Sequence, residues 1–226
     1  MLPKGSFATL ANGFQFHYHD GGQGDVVLFL HGSGTGASGF TNFKKNIDFF
    51  QRNGFRTIVP DLPGYGFSDK PEDEIYTMSF FNNLLLELLD HLNIANCSVV
   101  GNSLGGALAM GLSLEQPKRF SKLILMAPGG LEDFNAYQEM PGIKKLLGDF
   151  LGGEMNQEKI EGLLKLFPYD PSFVTKDIIE DRMEILPLMN QQVLASMDIP
   201  NLSEKLKNNQ TPCLLYTSPS PRDLTT

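Results

Sequence analysis

The stretch Cys97 to Met110, CSVVGNSLGGALAM, limits what this chain can fold into more than any other part of it. The β-branched pair Val99 and Val100 leads into Gly101-Asn102-Ser103-Leu104-Gly105, and Gly106, Ala107, Ala109 and Met110 follow at helical spacing. That order predicts a strand, a tight turn and a helix. A turn this sharp leaves no room for side chains two residues either side of the serine, and glycine removes the collision. It would also set Ser103 at a helix N-terminus, where unpaired N–H groups and the helix dipole favour developing negative charge. A glycine-flanked serine also occurs in ordinary strand-to-helix loops. The flanking strand and helix are what favour a nucleophile.

Gly-x-Ser-x-Gly in this setting is the nucleophile elbow of the α/β-hydrolase fold. At 226 residues the chain is long enough for one such domain with an inserted subdomain. A net charge of −8 and the lack of any Lys/Arg cluster argue against nucleic acid or an anionic membrane as partner. A small-molecule substrate is expected, with a homo-oligomer left open. The N-terminus MLPKGSFATL has no signal-peptide h-region, and no apolar run reaches the length of a membrane span. The two cysteines, Cys97 and Cys213, have no metal-ligand spacing, so no metal or cofactor is expected and the cytoplasm is the expected compartment.

Phe7 to Leu10 and Phe14 to His19 alternate apolar and polar residues around Asn12-Gly13, which predicts a β-hairpin. His17 and His19 point the same way on this half-exposed edge strand and are expected to be surface residues, not metal ligands. Val26 to Leu30 predicts a strand buried on both faces of a parallel sheet, ending in His31-Gly32-Ser33-Gly34-Thr35-Gly36. Such a loop lets backbone N–H groups approach a ligand. In a hydrolase the Ser33 N–H would supply one oxyanion-hole donor and the Leu104 N–H the other. No Gly-Lys-Ser/Thr ending supports a phosphate loop. His31 is expected to hold the loop, not to act as the base. Asp61 is expected to fix its own loop through backbone N–H groups.

Helices are expected over Thr41 to Gln51 and Met78 to Leu92, and a further strand over Ser121 to Met126. Strands alternating with helices give a doubly wound, mostly parallel sheet. From residue 131 to about 205 helical patterns appear without a strand, over Ile143 to Leu151, Lys159 to Phe167 and Lys176 to Leu186. These predict a helical lid over the strand ends. Arg182 either faces the pocket and holds a carboxylate or forms an exposed ion pair with its acidic neighbours. The division expected is a core over 1–130, a lid over 131–205 and the start of the next core strand over 206–212.

His31-Gly32-Ser33-Gly34, Gly36-Ala37, Asn42, Asn102-Ser103 and Arg182 together resemble the meta-cleavage product hydrolases, α/β-hydrolases that split a carbon–carbon bond in ring-fission products of aromatic degradation. The resemblance runs from about Phe7 to Pro212. It implies that Ser103 is the nucleophile and that the Ser33 and Leu104 N–H groups form the oxyanion hole. It further implies that Asn42, Asn102 and Arg182, with Gly32 and Gly34, bind the dienoate end of a 2-hydroxy-6-oxo-dienoate, and that Phe167 lines the lid side of the pocket. Thr35, Leu104 and Phe40 depart from the residues usual in that family. A carboxylesterase of the same fold and a non-catalytic small-acid-binding protein are the alternatives. Haloalkane dehalogenases and epoxide hydrolases carry an aspartate where Ser103 stands.

The triad order in this fold is Ser, then Asp or Glu, then His, and no histidine follows His91. From Cys213 to Asp223 the chain reads CLLYTSPSPRD, which resembles a translated transposase-type sequencing adapter. The native sequence is therefore expected to be C-terminally truncated near residue 212, with 213–226 an artefactual tail and Asp223 not the triad acid. Little turnover and an open, aggregating sheet edge are expected of the chain as written.

Overall fold

Alternate residues of one buried strand feed two separate cores. In β3 (Asp25–Leu30), Val27 and Phe29 join Phe43, Ile47, Val59 and Val100 on one face of a sheet. Leu28 and Leu30 face the other way, among Ile58, Phe81, Leu85, Leu88 and Ala107. A period-2 pattern with both faces apolar is what a central parallel strand requires.

The computed structural model describes residues 2–140, 142–144, 148 and 155–216. The strands are β1 (Ser6–Thr9), β2 (Gln15–Gly21), β3, β4 (Phe55–Pro60), β5 (Cys97–Asn102), β6 (Phe120–Met126) and β7 (Cys213–Tyr216). They form a seven-stranded sheet in the order β1-β2-β4-β3-β5-β6-β7. The hairpin β1–β2 is antiparallel and β2 joins β4 antiparallel; all other pairings are parallel. Helix α1 (Gly39–Arg52) covers one face, starting from a Ser38–Thr41 capping box. Helix α2 (Met78–His91), capped by Thr77, and α3 (Leu104–Glu115) cover the other. The chain leaves β3 toward β4 and later returns to the far side of β3 as β5. The C-terminal ends of β3 and β5 thus flank a topological switch point, where open α/β sheets bind ligands.

Between β6 and β7 lie α4 (Phe134–Glu139), α5 (Gln157–Leu164), α6 (Lys176–Ile185), α7 (Gln191–Ala195) and α8 (Ser203–Leu206), and no named strand among the described residues. The segment that follows α7 is tied to the core where the Met78 N–H donates to the Asp198 carbonyl and the Asp198 N–H to that of Tyr76. Among the described residues, no helix is long and apolar enough to cross a membrane.

Two features differ from the sequence-based expectations. β2 is not an edge strand, because β1 covers it on one side and β4 on the other. His17 is therefore buried instead of lying at the surface, with Nδ1 2.8 Å from Asp61 Oδ2. The strand expected to start within 206–212 is instead β7, formed by the first four residues of the stretch expected to be a tail outside the fold and paired with β6 from Leu123↔Cys213 to Met126↔Tyr216, while 203–206 is helical. Its four residues are all exposed. Most of the helix expected over Ile143 to Leu151, and the tail beyond Tyr216 with Asp223, lie outside the described residues.

Candidate active site

Ser103 takes φ 51° and ψ −113°, the left-handed region that a non-glycine residue occupies only when its surroundings impose it. Those surroundings are specific. The Ser103 N–H donates to the Met126 carbonyl at 3.0 Å, and the Ser103 carbonyl accepts from the Gly129 N–H at 2.9 Å and the Ala107 N–H at 3.1 Å. A Cβ on Gly101 would lie 2.5 Å from the Gly105 carbonyl oxygen, and one on Gly105 would lie 2.0 Å from that of Leu30. The two glycines let strand and helix close on the turn, as the motif predicts.

The loop after β3 is held against this turn. The Gly105 N–H donates to the His31 carbonyl at 3.1 Å, and a Cβ on Gly32 would come within 3.1 Å of the Ser103 Cβ. Both ring nitrogens of His31 are occupied: Nδ1 lies 2.8 Å from the Gly32 carbonyl, and Nε2 accepts from the Leu62 N–H at 2.9 Å. That fixes Nδ1–H as the tautomer. Burial pushes the His31 imidazole down to about 4, so it stays neutral at neutral pH. Asp61 holds the adjoining elements through the Gly39 and Phe67 N–H groups, at 2.8 and 2.9 Å, and through His17. Burial opposes its ionisation, but the His17 ring and the Phe67 N–H outweigh that and keep its carboxyl below the usual range. Both residues thus support loops, as expected of them.

Among the described residues neither the Ser33 N–H nor the Leu104 N–H has an acceptor. Leu104 opens α3, so its N–H is one of the orphan donors of a helix start. Ser103 is half-buried, and its hydroxyl has no hydrogen-bond partner among the described residues. The histidine bonds described here run from His31 and His17 to other groups, and none reaches Ser103.

Beside the turn runs a row of three polar side chains brought together from α6, α1 and the end of β5. Arg182 Nη2 donates to Asn42 Oδ1 at 2.7 Å, Asn42 Nδ2 to Asn102 Oδ1 at 3.1 Å, and Asn102 Nδ2 to the Met126 carbonyl at 3.2 Å. Arg182 Nη1 also reaches the Thr35 carbonyl at 3.3 Å, and Gly34 lies beside the same nitrogen. Arg182 is only 9% exposed. No carboxylate among the described residues pairs with it, and its Nε–H has no acceptor. Burial alone lowers it to about 10. A buried cation without a counter-ion is costly, and an anionic ligand is the usual remedy. Of the two roles open to Arg182 in the sequence, an exposed ion pair is ruled out.

Phe167, expected to line the pocket, follows α5 between β6 and β7 and is 43% exposed. Two surface grooves, of about 220 Å³ beside Pro117, Phe120 and Pro212 and of about 140 Å³ beside Met78, Gly111 and Lys205, are not lined by Ser103 or Arg182. Sequence reasoning missed the His17–Asp61 pair and the contact of Gly36 N–H with Met189 Sδ at 3.0 Å. Neither has a local spacing signal, since one joins residues 44 apart and the other residues 153 apart.

Comparison with known proteins points the same way. The family model for the alpha/beta hydrolase fold matches residues 25–157. A 2-hydroxy-6-oxo-6-phenylhexa-2,4-dienoate hydrolase of Burkholderia cepacia is 38% identical over 171 residues, which are 75% of this chain and 59% of that protein. A 2-hydroxy-6-oxononadienedioate/2-hydroxy-6-oxononatrienedioate hydrolase of Comamonas testosteroni is 37% identical over 171 residues, with the same two shares. The chain thus spans about three fifths of the length of these relatives. A variant of the meta-cleavage product hydrolase from Pseudomonas fluorescens IP01, complexed with acetates, superimposes with a TM-score of 0.77 at 27% identity, over 95% of this chain and 79% of that one. With the strand order, the strained serine turn and a family match over more than half its length, the chain belongs to the alpha/beta hydrolase fold family.

Proposed function

We propose that this chain is part of a serine-nucleophile hydrolase that cleaves a carbon–carbon bond of 2-hydroxy-6-oxo-dienoate ring-fission products. The observation that carries this is Arg182, a buried guanidinium without an anionic partner among the described residues, linked through Asn42 and Asn102 to the serine turn. A simple ester needs no such site. A dienoate brings a carboxylate that can accept from the free Arg182 donors, and its C2 oxygen is a second acceptor for side-chain amides such as those of Asn42 and Asn102. Names of relatives at 36–38% identity support the same substrate class.

The chemistry follows from that placement. Moving the enol proton from O2 to C5 gives a 2-oxo tautomer. Ser103 Oγ then adds to C6 as its proton leaves to a base, and the Ser33 and Leu104 N–H groups receive the oxyanion. The C5–C6 bond breaks with its electron pair delocalised toward the 2-oxo acid, and water releases the acyl group from Ser103. No histidine hydrogen-bonds Ser103 among the described residues, so slow turnover is the expected outcome for this chain without an added base. Added imidazole serves as an external base in the test. With 2-hydroxy-6-oxo-6-phenylhexa-2,4-dienoate, imidazole raises the release of benzoate and 2-hydroxypenta-2,4-dienoate in equal amounts from this chain and not from Ser103→Ala. Equal release by both overturns Ser103 as nucleophile. Imidazole-dependent cleavage of p-nitrophenyl acetate without dienoate cleavage favours a carboxylesterase.

A further inference from the structure

Arg182 sits where its own hydration opposes it. Removing an arginine cation from water costs several kcal/mol when no anion compensates, so the ligand-free α6 gains by turning outward. Buried Ile179 and Ile185 oppose that, and polar contacts outside the row add to them.

The strongest candidate is Lys44, two residues from Asn42 on α1. Its Nζ lies 2.7 Å from Asp177 Oδ2, donates to the Asp177 carbonyl at 3.3 Å and pairs with Asp181. Lys44 and Asp181 are nearly buried, their side chains 15% and 14% exposed, whereas Asp177 is 60% exposed. Asp181 immediately precedes Arg182. One pair of helices therefore carries two adjacent cross-links, Lys44–Asp181 and Asn42–Arg182. Burial works against the Lys44 ammonium, but the two carboxylates outweigh it and raise it above its ordinary value. The Lys44 hydrogen bond and that of Thr175 hold the Asp177 carboxyl down at about 2.

Nearby contacts continue the seam. Lys45 Nζ lies 4.5 Å from the Phe173 ring centre. Gly36, at φ 64°, approaches α6 so closely that a Cβ there would fall 2.4 Å from the Arg182 carbonyl oxygen. The Gly36 N–H meets Met189 Sδ just beyond the helix. These contacts seat α6 on the loop that carries Ser33.

We propose that Lys44 is a positioning residue for the carboxylate site: bound to Asp177 and Asp181, it latches α6 onto α1 and keeps the Arg182 guanidinium desolvated beside Asn42 before any ligand arrives. The latch removes the reorganisation that a ligand would otherwise have to drive, which is a gain in affinity without a contact. It acts only on anionic ligands, because only they use the guanidinium. The argument rests on the dienoate reading above for the ligand, and on the two cross-links alone for the latch.

Lys44→Met keeps most of the apolar stem and removes the charge. In ligand-free protein it is expected to speed amide hydrogen exchange across α6 about tenfold while leaving β3 and β5 unchanged, the scale of a partly buried ion network lost. The Kd for 2-hydroxy-6-oxo-6-phenylhexa-2,4-dienoate is expected to rise about tenfold, and that for its methyl ester to stay the same. In an Arg182→Leu background, Lys44→Met adds nothing to the anion Kd, and Lys44→Arg restores both readouts. Unchanged exchange in α6 overturns the latch, as does a methyl ester weakened as much as the anion. Should Lys44→Met fail to fold, Asp181→Asn carries the same expectations. If the parent chain binds no dienoate, the substrate reading fails and the exchange experiment alone decides the latch.

Discussion

Gly105→Ala isolates the closeness of strand and helix at the serine turn. Alanine in place of a helical glycine normally stabilises by about 1 kcal/mol. Here the added Cβ falls 2.0 Å from the Leu30 carbonyl oxygen and 2.8 Å from that of His31, both backbone atoms of β3 and its loop. A carbon needs roughly 3.3 Å from such an oxygen, so α3 must retreat by on the order of 1 Å. That strains the 3.1 Å bond from the Gly105 N–H to His31 and shifts the Leu104 N–H with it. Overpacking costs about 1–3 kcal/mol, and a clash with backbone atoms takes the upper end of that range, about 3 kcal/mol. Against the helical gain of about 1 kcal/mol, the net loss is about 2 kcal/mol. For a domain of this size that lowers Tm by about 4–8 °C. Gly162→Ala is the internal control, since Gly162 lies in α5 with nothing within 4 Å of an added Cβ. It is expected to raise Tm by about 2–4 °C. Thermal melts by circular dichroism read both. A Gly105→Ala protein melting at or above its parent refutes the geometry of the turn.

His31 gives a pH dependence of definite sign. Its folded value of about 4 lies below the unfolded value near 6.5, so the unfolded chain binds the proton first. Stability is full above pH 6.5 and falls by up to about 3 kcal/mol as the pH drops toward 4. Urea midpoints across that window are expected to decline less steeply in His31→Gln, and equal slopes contradict the buried neutral ring. The buried Cys97 thiol is pushed up to about 12, whereas Cys213 is exposed on β7. A thiol reagent at pH 8 is therefore expected to label Cys213 in the native protein and Cys97 only after unfolding; rapid native labelling of both argues against the sheet. Asn42→Ala strips Arg182 Nη2 and Asn102 Oδ1 of their partners at once, so about 1–3 kcal/mol of stability is expected to be lost in denaturant titrations, and a loss near zero argues against the row.

How far the sequence reached depended on whether a feature is local. The serine turn, the glycine loop after β3 and the amphipathic α2 all have their cause within a few residues, and their elements fall where the periodicities place them. His17 shows what periodicity lacks. Its alternation and its hairpin partner were legible, but whether its strand lay at an edge depended on β4 pairing along its other side. For Arg182 the sequence left two roles open, because its acidic neighbours on α6 suit either one. The choice was made across space: Arg182 turns inward to Asn42 of α1, while Asp177 and Asp181 on the same helix pair with Lys44.

The most direct test of the account is a pair of binding isotherms for 2-hydroxy-6-oxo-6-phenylhexa-2,4-dienoate, followed through its own absorbance, with this chain and with Arg182→Leu. If the buried guanidinium is a carboxylate site, the parent binds about tenfold to a hundredfold more tightly than the variant, the scale of a charge-assisted hydrogen bond, and the methyl ester does not distinguish the two. Equal affinity of the anion for both proteins contradicts the account.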